Sequence, residues 1–247
     1  MASPLGVQLY TVRDALAADR DGVLARIAGI GYTTVEPFNP TDDPEGFRRV
    51  ADDLGLTVSG AHAIQLLHGE TGPVFEAVAT LGTDLAILPA GIPEEDFTTP
   101  DGLARAADLL NGLAEQAAGH GLRLGYHNHW WEVEPVVDGR HAIEGLVELL
   151  APEVVLELDT YWAAVGGADV PALLGRLGER VVALHVKDGP AVRDEPHVAV
   201  GSGVMPVPEV LAAAPGAQRI VELDSCATDL FDALADSRDY LVGLGAA

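Results

Sequence analysis

Cysteine is almost absent from this sequence, and the single thiol, Cys226, removes two kinds of chemistry at the outset. A lone thiol forms no intramolecular disulfide, and zinc frameworks built on several cysteines are excluded by count, so any metal must be held by histidine and carboxylate. Basic residues are also scarce: 14 Lys and Arg stand against 38 Asp and Glu, a formal net charge of −24. Such a surface repels a phosphate backbone, so no nucleic-acid partner is expected, and anionic substrates are disfavoured with it. No apolar run approaches the ~18 residues that span a bilayer, so the 48% hydrophobic content belongs to a folded interior and no membrane association is expected. Met1-Ala-Ser-Pro-Leu-Gly carries no basic segment followed by an apolar one, which makes a cytoplasmic location the default expectation. A phosphate loop of the Gly-x-x-x-x-Gly-Lys type is missing too, so a neutral sugar or polyol suits the chain better than a sugar phosphate. Self-association into a homo-oligomer is compatible with all of this.

What the sequence does have is alternation. Short segments rich in β-branched residues, at 6–10, 34–37, 57–61, 85–89, 123–127, 154–158, 181–186 and 219–223, are separated by longer segments of helical period. In the stretch 102–118, Leu103, Ala106, Ala107, Leu110 and Leu113 share one helical face. Glycines such as Gly31, Gly55 and Gly121 stand where helices hand over to the next strand, as a left-handed C-cap requires. The pattern predicts one (β/α)8 TIM barrel over residues 1–247. A doubly wound open sheet would usually show a Gly-rich first turn, whereas the first strand here runs into Thr11-Val12-Arg13-Asp14.

Polar residues gather at the C-terminal ends of these strands, the end where a parallel barrel carries its active site. Gln8, Glu36 and His62 belong to the first three strands, Tyr126-His127-Asn128-His129 to the fifth, Glu157 and Asp159 to the sixth, His185 and Lys187 to the seventh, Glu222 and Asp224 to the eighth. Carboxylates with an imidazole converging on the axis suit a divalent ion, for which Asp159, His185 and Glu222 are the natural ligands. Residues two apart on a strand share a face, so parity does not choose between Glu157 and Asp159 or between Glu222 and Asp224. One such residue alone would be read as a cap or a surface charge; the second, third, fifth, sixth, seventh and eighth strands all ending this way favour a site. Trp130 and Trp131 are read either as lid packing or as a flat apolar face for a sugar ring. His197 lies in a loop that can bring it to substrate, and Trp162 and Cys226 are read as structural.

At these residues the chain resembles the sugar phosphate isomerase/epimerase-like branch of the xylose isomerase-like barrels, a superfamily that also includes inosose dehydratases and endonuclease IV. The resemblance rests on Gly6-Val-Gln-Leu-Tyr-Thr-Val-Arg-Asp14, Gly31-Tyr-Thr-Thr-Val-Glu36, Tyr126-His-Asn-His-Trp-Trp-Glu-Val-Glu134, Leu156-Glu-Leu-Asp-Thr-Tyr-Trp162, His185-Val-Lys-Asp-Gly189 and Val221-Glu-Leu-Asp224. It implies a Glu, Asp, His, Glu metal site on strands five to eight, holding manganese first, or magnesium, cobalt or zinc. Asp159, His185 and Glu222 match that pattern directly; Glu132 is favoured as the fifth-strand ligand, with His127 the alternative.

The chemistry expected is removal of a proton beside a carbonyl through an enediolate, with His127 or Glu36 as base and Lys187 and His62 hydrogen-bonding substrate oxygens. His129, Trp130, Trp131 and His197 complete the expected substrate contacts. An isomerase or epimerase is the leading reading, a dehydratase or 3-keto-glycoside lyase the nearest rival. A sugar-binding barrel without catalysis and an endonuclease are further alternatives, the latter opposed by the acidic charge.

Overall fold

The computed structural model describes residues 4–245; Met1 to Ser3, Ala246 and Ala247 lie outside the described residues. The strands of its main sheet are Leu5–Gln8, Thr34–Glu36, Thr57–Val58, Ala61–His62, Leu85–Leu88, Arg123–His127, Val155–Asp159, Val181–Val186 and Gln218–Val221, joined side by side; Val136–Val137 and Arg140–His141 form a separate antiparallel pair. Every pairing in that sheet is parallel. The first strand pairs with Gln218–Val221 on one side and Thr34–Glu36 on the other. The series ends at Thr57–Val58 and Ala61–His62, which are two halves of the third strand: the first half pairs with strand two, the second with strand four. Counting the halves as one gives eight strands, and the barrel closes through that broken strand.

The break falls at Ser59-Gly60, where the sequence pattern suggests one uninterrupted strand. A Cβ on Gly60 would lie 2.8 Å from Ile87 Cδ1 and 3.1 Å from Glu36 Oε2, so a larger residue here would press on both side chains and glycine lets the chain pass close to them. The first strand is also shorter than its apolar run. Gln8 folds its side chain back to accept from the Tyr10 N–H at 3.1 Å, and the chain turns into the 3-10 helix Leu9–Val12.

Outside the barrel, helices such as Pro100–Gly119 lay their apolar faces on the sheet. Leu103, Ala106, Ala107, Leu110 and Leu113 are buried, as the helical period requires, and the Thr99 hydroxyl caps the helix by accepting from the Gly102 N–H. Gly31, at φ 107°, ends the helix Arg20–Ile30 with the left-handed turn that only glycine adopts without strain. Val7, Val35, Leu88, Leu124, Leu156, Leu158, Leu184 and Val221 are buried at 0–1% exposure in the same apolar core as the helices. At about 1.5–3 kcal/mol for each Val or Leu side chain, this jacket carries much of the folding energy. Among the described residues, no helix is long and apolar enough to cross a membrane.

A histidine and carboxylate centre at the barrel mouth

Residues that alternate with the jacket positions point into the barrel; Ile87 and Ile220 fill part of it in the usual way, but toward the mouth the inward side chains are polar and ionisable. The deeper layer is Gln8, Glu36, His62, Glu157 and His185, all buried. Gln8 Nε2 donates to Glu36 Oε1 at 2.7 Å. His185 Nε2 lies 2.9 Å from Glu36 Oε1 and 3.0 Å from Glu157 Oε1, and His62 Nε2 reaches the same Glu157 oxygen at 2.7 Å. Strand register explains the meeting: His127 stands opposite Glu157, and His185 opposite Asp159.

The layer nearer the mouth is His127, Asp159, Lys187, Glu222 and Asp224. The Lys187 ammonium lies 2.8 Å from Asp159 Oδ2, 2.7 Å from Glu222 Oε2 and 2.9 Å from Asp224 Oδ2. His185 belongs to both layers, because its Nδ1 meets Glu222 Oε2 at 2.7 Å. Asn128 ties the ends of strands five and six together, its Oδ1 accepting from the Asp159 N–H at 2.9 Å. Asp159 Oδ1 accepts from the Trp162 N–H and so starts the next helix, Thr160–Val165.

Burial sets the electrostatics, and the neighbours decide its outcome. Burial opposes charge on Lys187, yet Asp159, Asp224 and Glu222 together hold its ammonium well above the ordinary range. The same contest keeps His185 well above its usual value, with Glu157 and Glu222 as its partners. Burial alone would raise Glu157, but the charges of His185 and His62 hold its carboxyl well below the carboxylate range. For Asp159 burial wins over Lys187 and His185, and its carboxyl rises to about 6. His127 is pushed well below its usual value, chiefly by burial.

Two quartets bring ligand atoms within 4.8 Å of one another: His127, Asp159, His185 and Glu222 near the mouth, and His62, His127, Glu157 and His185 beneath. The mouth quartet fits a divalent ion by donor chemistry, with two carboxylates and two imidazoles. Glu36, Glu157, Asp159 and Glu222 are paired with Lys187 and with His185 and His62, both raised above their usual values, so a divalent ion would bind there by displacing protons from the imidazoles. Above it opens a cavity of about 500 Å³ whose lining includes Tyr10, Phe38, Asn39, His62, His127, His129, Lys187, Glu222 and Asp224.

Several residues expected at this site stand elsewhere. Glu132 is no member of either quartet: its Oε1 accepts from the Tyr126 hydroxyl and its Oε2 from the His129 N–H, both at 2.7 Å. Tyr126 faces the jacket, on the opposite side of the strand from His127, and Glu132 follows it there; burial pushes the Glu132 carboxyl up to about 7. The mouth quartet takes His127 in its place. Glu36 does not reach the mouth cavity either. It lines a cavity of about 210 Å³ with Ser59, Leu85 and Arg123, at the end where the strands begin, which removes it as a base for substrate at the mouth.

Trp130 and Trp131 do not line the mouth cavity; Trp131 stacks on His129 with ring centroids 4.1 Å apart, and Trp130 packs against Trp162 at 5.0 Å. His197 lies behind Asp224, its Nδ1 accepting from the Asp224 N–H at 3.2 Å and its ring 4.5 Å from Tyr161. Its loop is tied down by Asp188, whose carboxylate accepts from the N–H groups of Gly189, Gly201, Gly203 and Met205. His62, His127, His129 and Lys187 are at the cavity as expected.

Other participants were hidden from sequence reasoning. Trp162 donates its Nε1–H to Asp224 Oδ2 at 2.9 Å and helps hold that carboxylate over the cavity. Tyr10 and Phe38 form the apolar wall, ring centroids 5.4 Å apart and edge to face. Both lie just past a strand end, Tyr10 in the 3-10 helix Leu9–Val12, where strand alternation no longer assigns a face, so the period gave no signal for them.

Comparison with known proteins agrees with this architecture. Residues 24–225 match the xylose isomerase-like TIM barrel family. An inosose dehydratase from Geobacillus kaustophilus (strain HTA426) is 27% identical over 201 residues, 68% of this chain and 62% of that protein, so the chain spans less than two thirds of this relative's length. The crystal structure of a sugar phosphate isomerase/epimerase from Parabacteroides distasonis ATCC 8503 superposes with a TM-score of 0.82 at 25% identity, covering 100% of this chain and 95% of the other. A xylose isomerase-like TIM barrel protein from Mycobacterium smegmatis, in complex with magnesium, gives a TM-score of 0.72 at 14% identity over 99% of this chain and 97% of the other.

Proposed function

The chain belongs to the xylose isomerase-like TIM barrel family, and from that premise we propose that it is a divalent-metal-dependent isomerase or epimerase of a small ketose, keto-sugar or inosose. The observation that carries this reading is the mouth quartet His127, Asp159, His185 and Glu222, set beside a cavity of about 500 Å³ that is large enough for a sugar. The quartet would hold the ion. Its two imidazoles favour manganese, cobalt or zinc over magnesium on ligand type, although the Mycobacterium smegmatis barrel is in complex with magnesium. When bound, such an ion supplies Lewis-acid polarisation of a substrate carbonyl, which makes the neighbouring carbon acidic.

The chain's own groups then divide the work. Lys187 donates hydrogen bonds to the substrate oxygen that gains charge as an enediolate forms. Asp224 lines the cavity with its side chain 32% exposed, oriented by Lys187 and Trp162, and takes the proton from carbon. His62 and His129 meet substrate hydroxyls from the cavity wall. Tyr10 and Phe38 receive the C–H face of the sugar, the role first expected of Trp130 and Trp131. A dehydratase is the second reading, favoured by the 27% identity to the inosose dehydratase; it uses the same proton removal and then expels a β-hydroxyl.

Turnover of a panel of ketoses, keto-sugars and inososes in D2O by manganese-loaded protein tests the proposal. The expected product carries deuterium on the carbon next to the carbonyl and is otherwise unchanged in mass. Loss of water from the product would assign the dehydratase instead. A panel with neither exchange nor elimination, on metal-loaded protein, would overturn proton abstraction altogether.

A further inference from the structure

We infer that Glu157 is the positioning residue of the metal centre: from beneath, its Oε1 takes one ring nitrogen of each of His62, His127 and His185, leaving the other nitrogens of His127 and His185 facing Asp159 and Glu222. The inference rests on the proposed metal site and adds what makes that site a ligand set. A neutral imidazole carries one N–H and one lone pair, and only the nitrogen with the lone pair can ligate. Which nitrogen that is depends on what the other one donates to.

The contacts name that partner for an ion held at the mouth. Glu157 Oε1 lies 3.0 Å from His185 Nε2, 3.2 Å from His127 Nδ1 and 2.7 Å from His62 Nε2. On the far side of each ligand ring, His185 Nδ1 lies 2.7 Å from Glu222 Oε2 and His127 Nε2 lies 3.8 Å from Asp159 Oδ2. The two rings therefore point different atoms at the mouth, Nδ1 from His185 and Nε2 from His127, because both have a carboxylate below. Glu36 shares the His185 contact at 2.9 Å but makes none with His127, so Glu157 is the group common to both ligand histidines. Glu157 is 1% exposed and does not line the cavity, so it does not touch substrate. It stands two residues before Asp159 on the same strand face, which puts the ligand carboxylate and the carboxylate that aims the histidines in successive layers of the barrel.

The lower quartet of His62, His127, Glu157 and His185 offers the competing arrangement, with the ion bound beneath and Glu157 itself a ligand. Zinc titration of chelator-treated protein separates the two. Glu157→Gln is expected to bind zinc roughly 10–100-fold more weakly than wild type, the usual effect of losing an outer-shell partner, while Asp159→Asn and Glu222→Gln lose it altogether. Zinc-loaded wild-type protein labelled with 15N-histidine should show the N–H on Nε2 of His185 and on Nδ1 of His127, a readout that a merely structural role for Glu157 would not set. That spectrum needs no variant, so it decides the matter even if Glu157→Gln fails to fold. Wild-type zinc affinity in a folded Glu157→Gln, or the N–H of His185 on Nδ1, would overturn positioning and leave the metal site standing. Loss of all zinc in Glu157→Gln with retention in Asp159→Asn and Glu222→Gln would place the ion in the lower quartet and overturn it as well. A wild-type protein that takes up no zinc would remove the metal reading and this inference together.

Discussion

The two faces of the same barrel strands follow opposite rules. On the outer face Leu156, Leu158 and Leu184 are 0–1% exposed and packed against helices; on the inner face their sequence neighbours Glu157, Asp159 and His185 are equally buried, but ionisable. Burial is the same and its consequence differs. Apolar groups taken from water stabilise the fold by about 25 cal/mol per Å², whereas buried charge is costly unless paired. The inner face offsets that cost by pairing Lys187, His185 and His62 with carboxylates, so the strands keep a reactive interior inside a jacket that supplies the stability. The comparison teaches that position along a strand sets where a residue sits, and parity sets what it is for.

Substitutions on either side should break this symmetry of burial into separate effects. The largest is expected on the inner face: Asp224→Asn should lower kcat by about 10²–10⁴-fold, as for loss of a general base, with the thermal midpoint nearly unchanged. A rate within a few-fold of wild type in steady-state assays would move the base elsewhere. On the outer face Leu184→Ala should cost about 2–5 kcal/mol in denaturant unfolding, by lost burial and a residual cavity. The folded fraction should still hold metal as wild type does, and a loss of metal from it would blur the division between the faces.

Glu132 sharpens the comparison, because it is a carboxyl buried beside the jacket, with Tyr126 and the His129 N–H as partners. Its pKa rises from 4.5 unfolded to about 7 folded. The folded state therefore holds this proton more tightly; the stability it contributes is full below pH 4.5 and is lost as pH rises to about 7. Between those limits Glu132→Gln should gain on wild type by about 3 kcal/mol, at 1.36 kcal/mol per pKa unit. Parallel pH profiles of stability for the two proteins would show that Glu132 is not held in this way.

Much of this was legible before the structure. The eight strands, the helix over 102–118, which runs over Pro100–Gly119 in the structure, and the convergence of Asp159, His185 and Glu222 follow from period and from the rule that strand ends meet at the mouth. Glu132, favoured as the fifth-strand ligand, stands beside the jacket with Tyr126 because after the strand ends the chain turns outward and period two no longer applies. The choice between Glu157 and Asp159 had no answer in parity because the barrel uses both, one layer apart. The break in the third strand was invisible, since the side chains that crowd Gly60, Ile87 and Glu36, come from other strands. Trp162 read as structural because its tie to Asp224 spans strands six and eight.

On the proposed reading the inner face near the mouth is a metal site made of His127, Asp159, His185 and Glu222, without Glu132. Elemental analysis of chelator-treated protein re-equilibrated with micromolar manganese or zinc tests it most directly. The account predicts about one divalent ion per chain in wild type and in Glu132→Ala, and none in Asp159→Asn or Glu222→Gln, all four remaining folded. Metal-free wild type under those conditions, or retention by Asp159→Asn and Glu222→Gln with loss in Glu132→Ala, would contradict it.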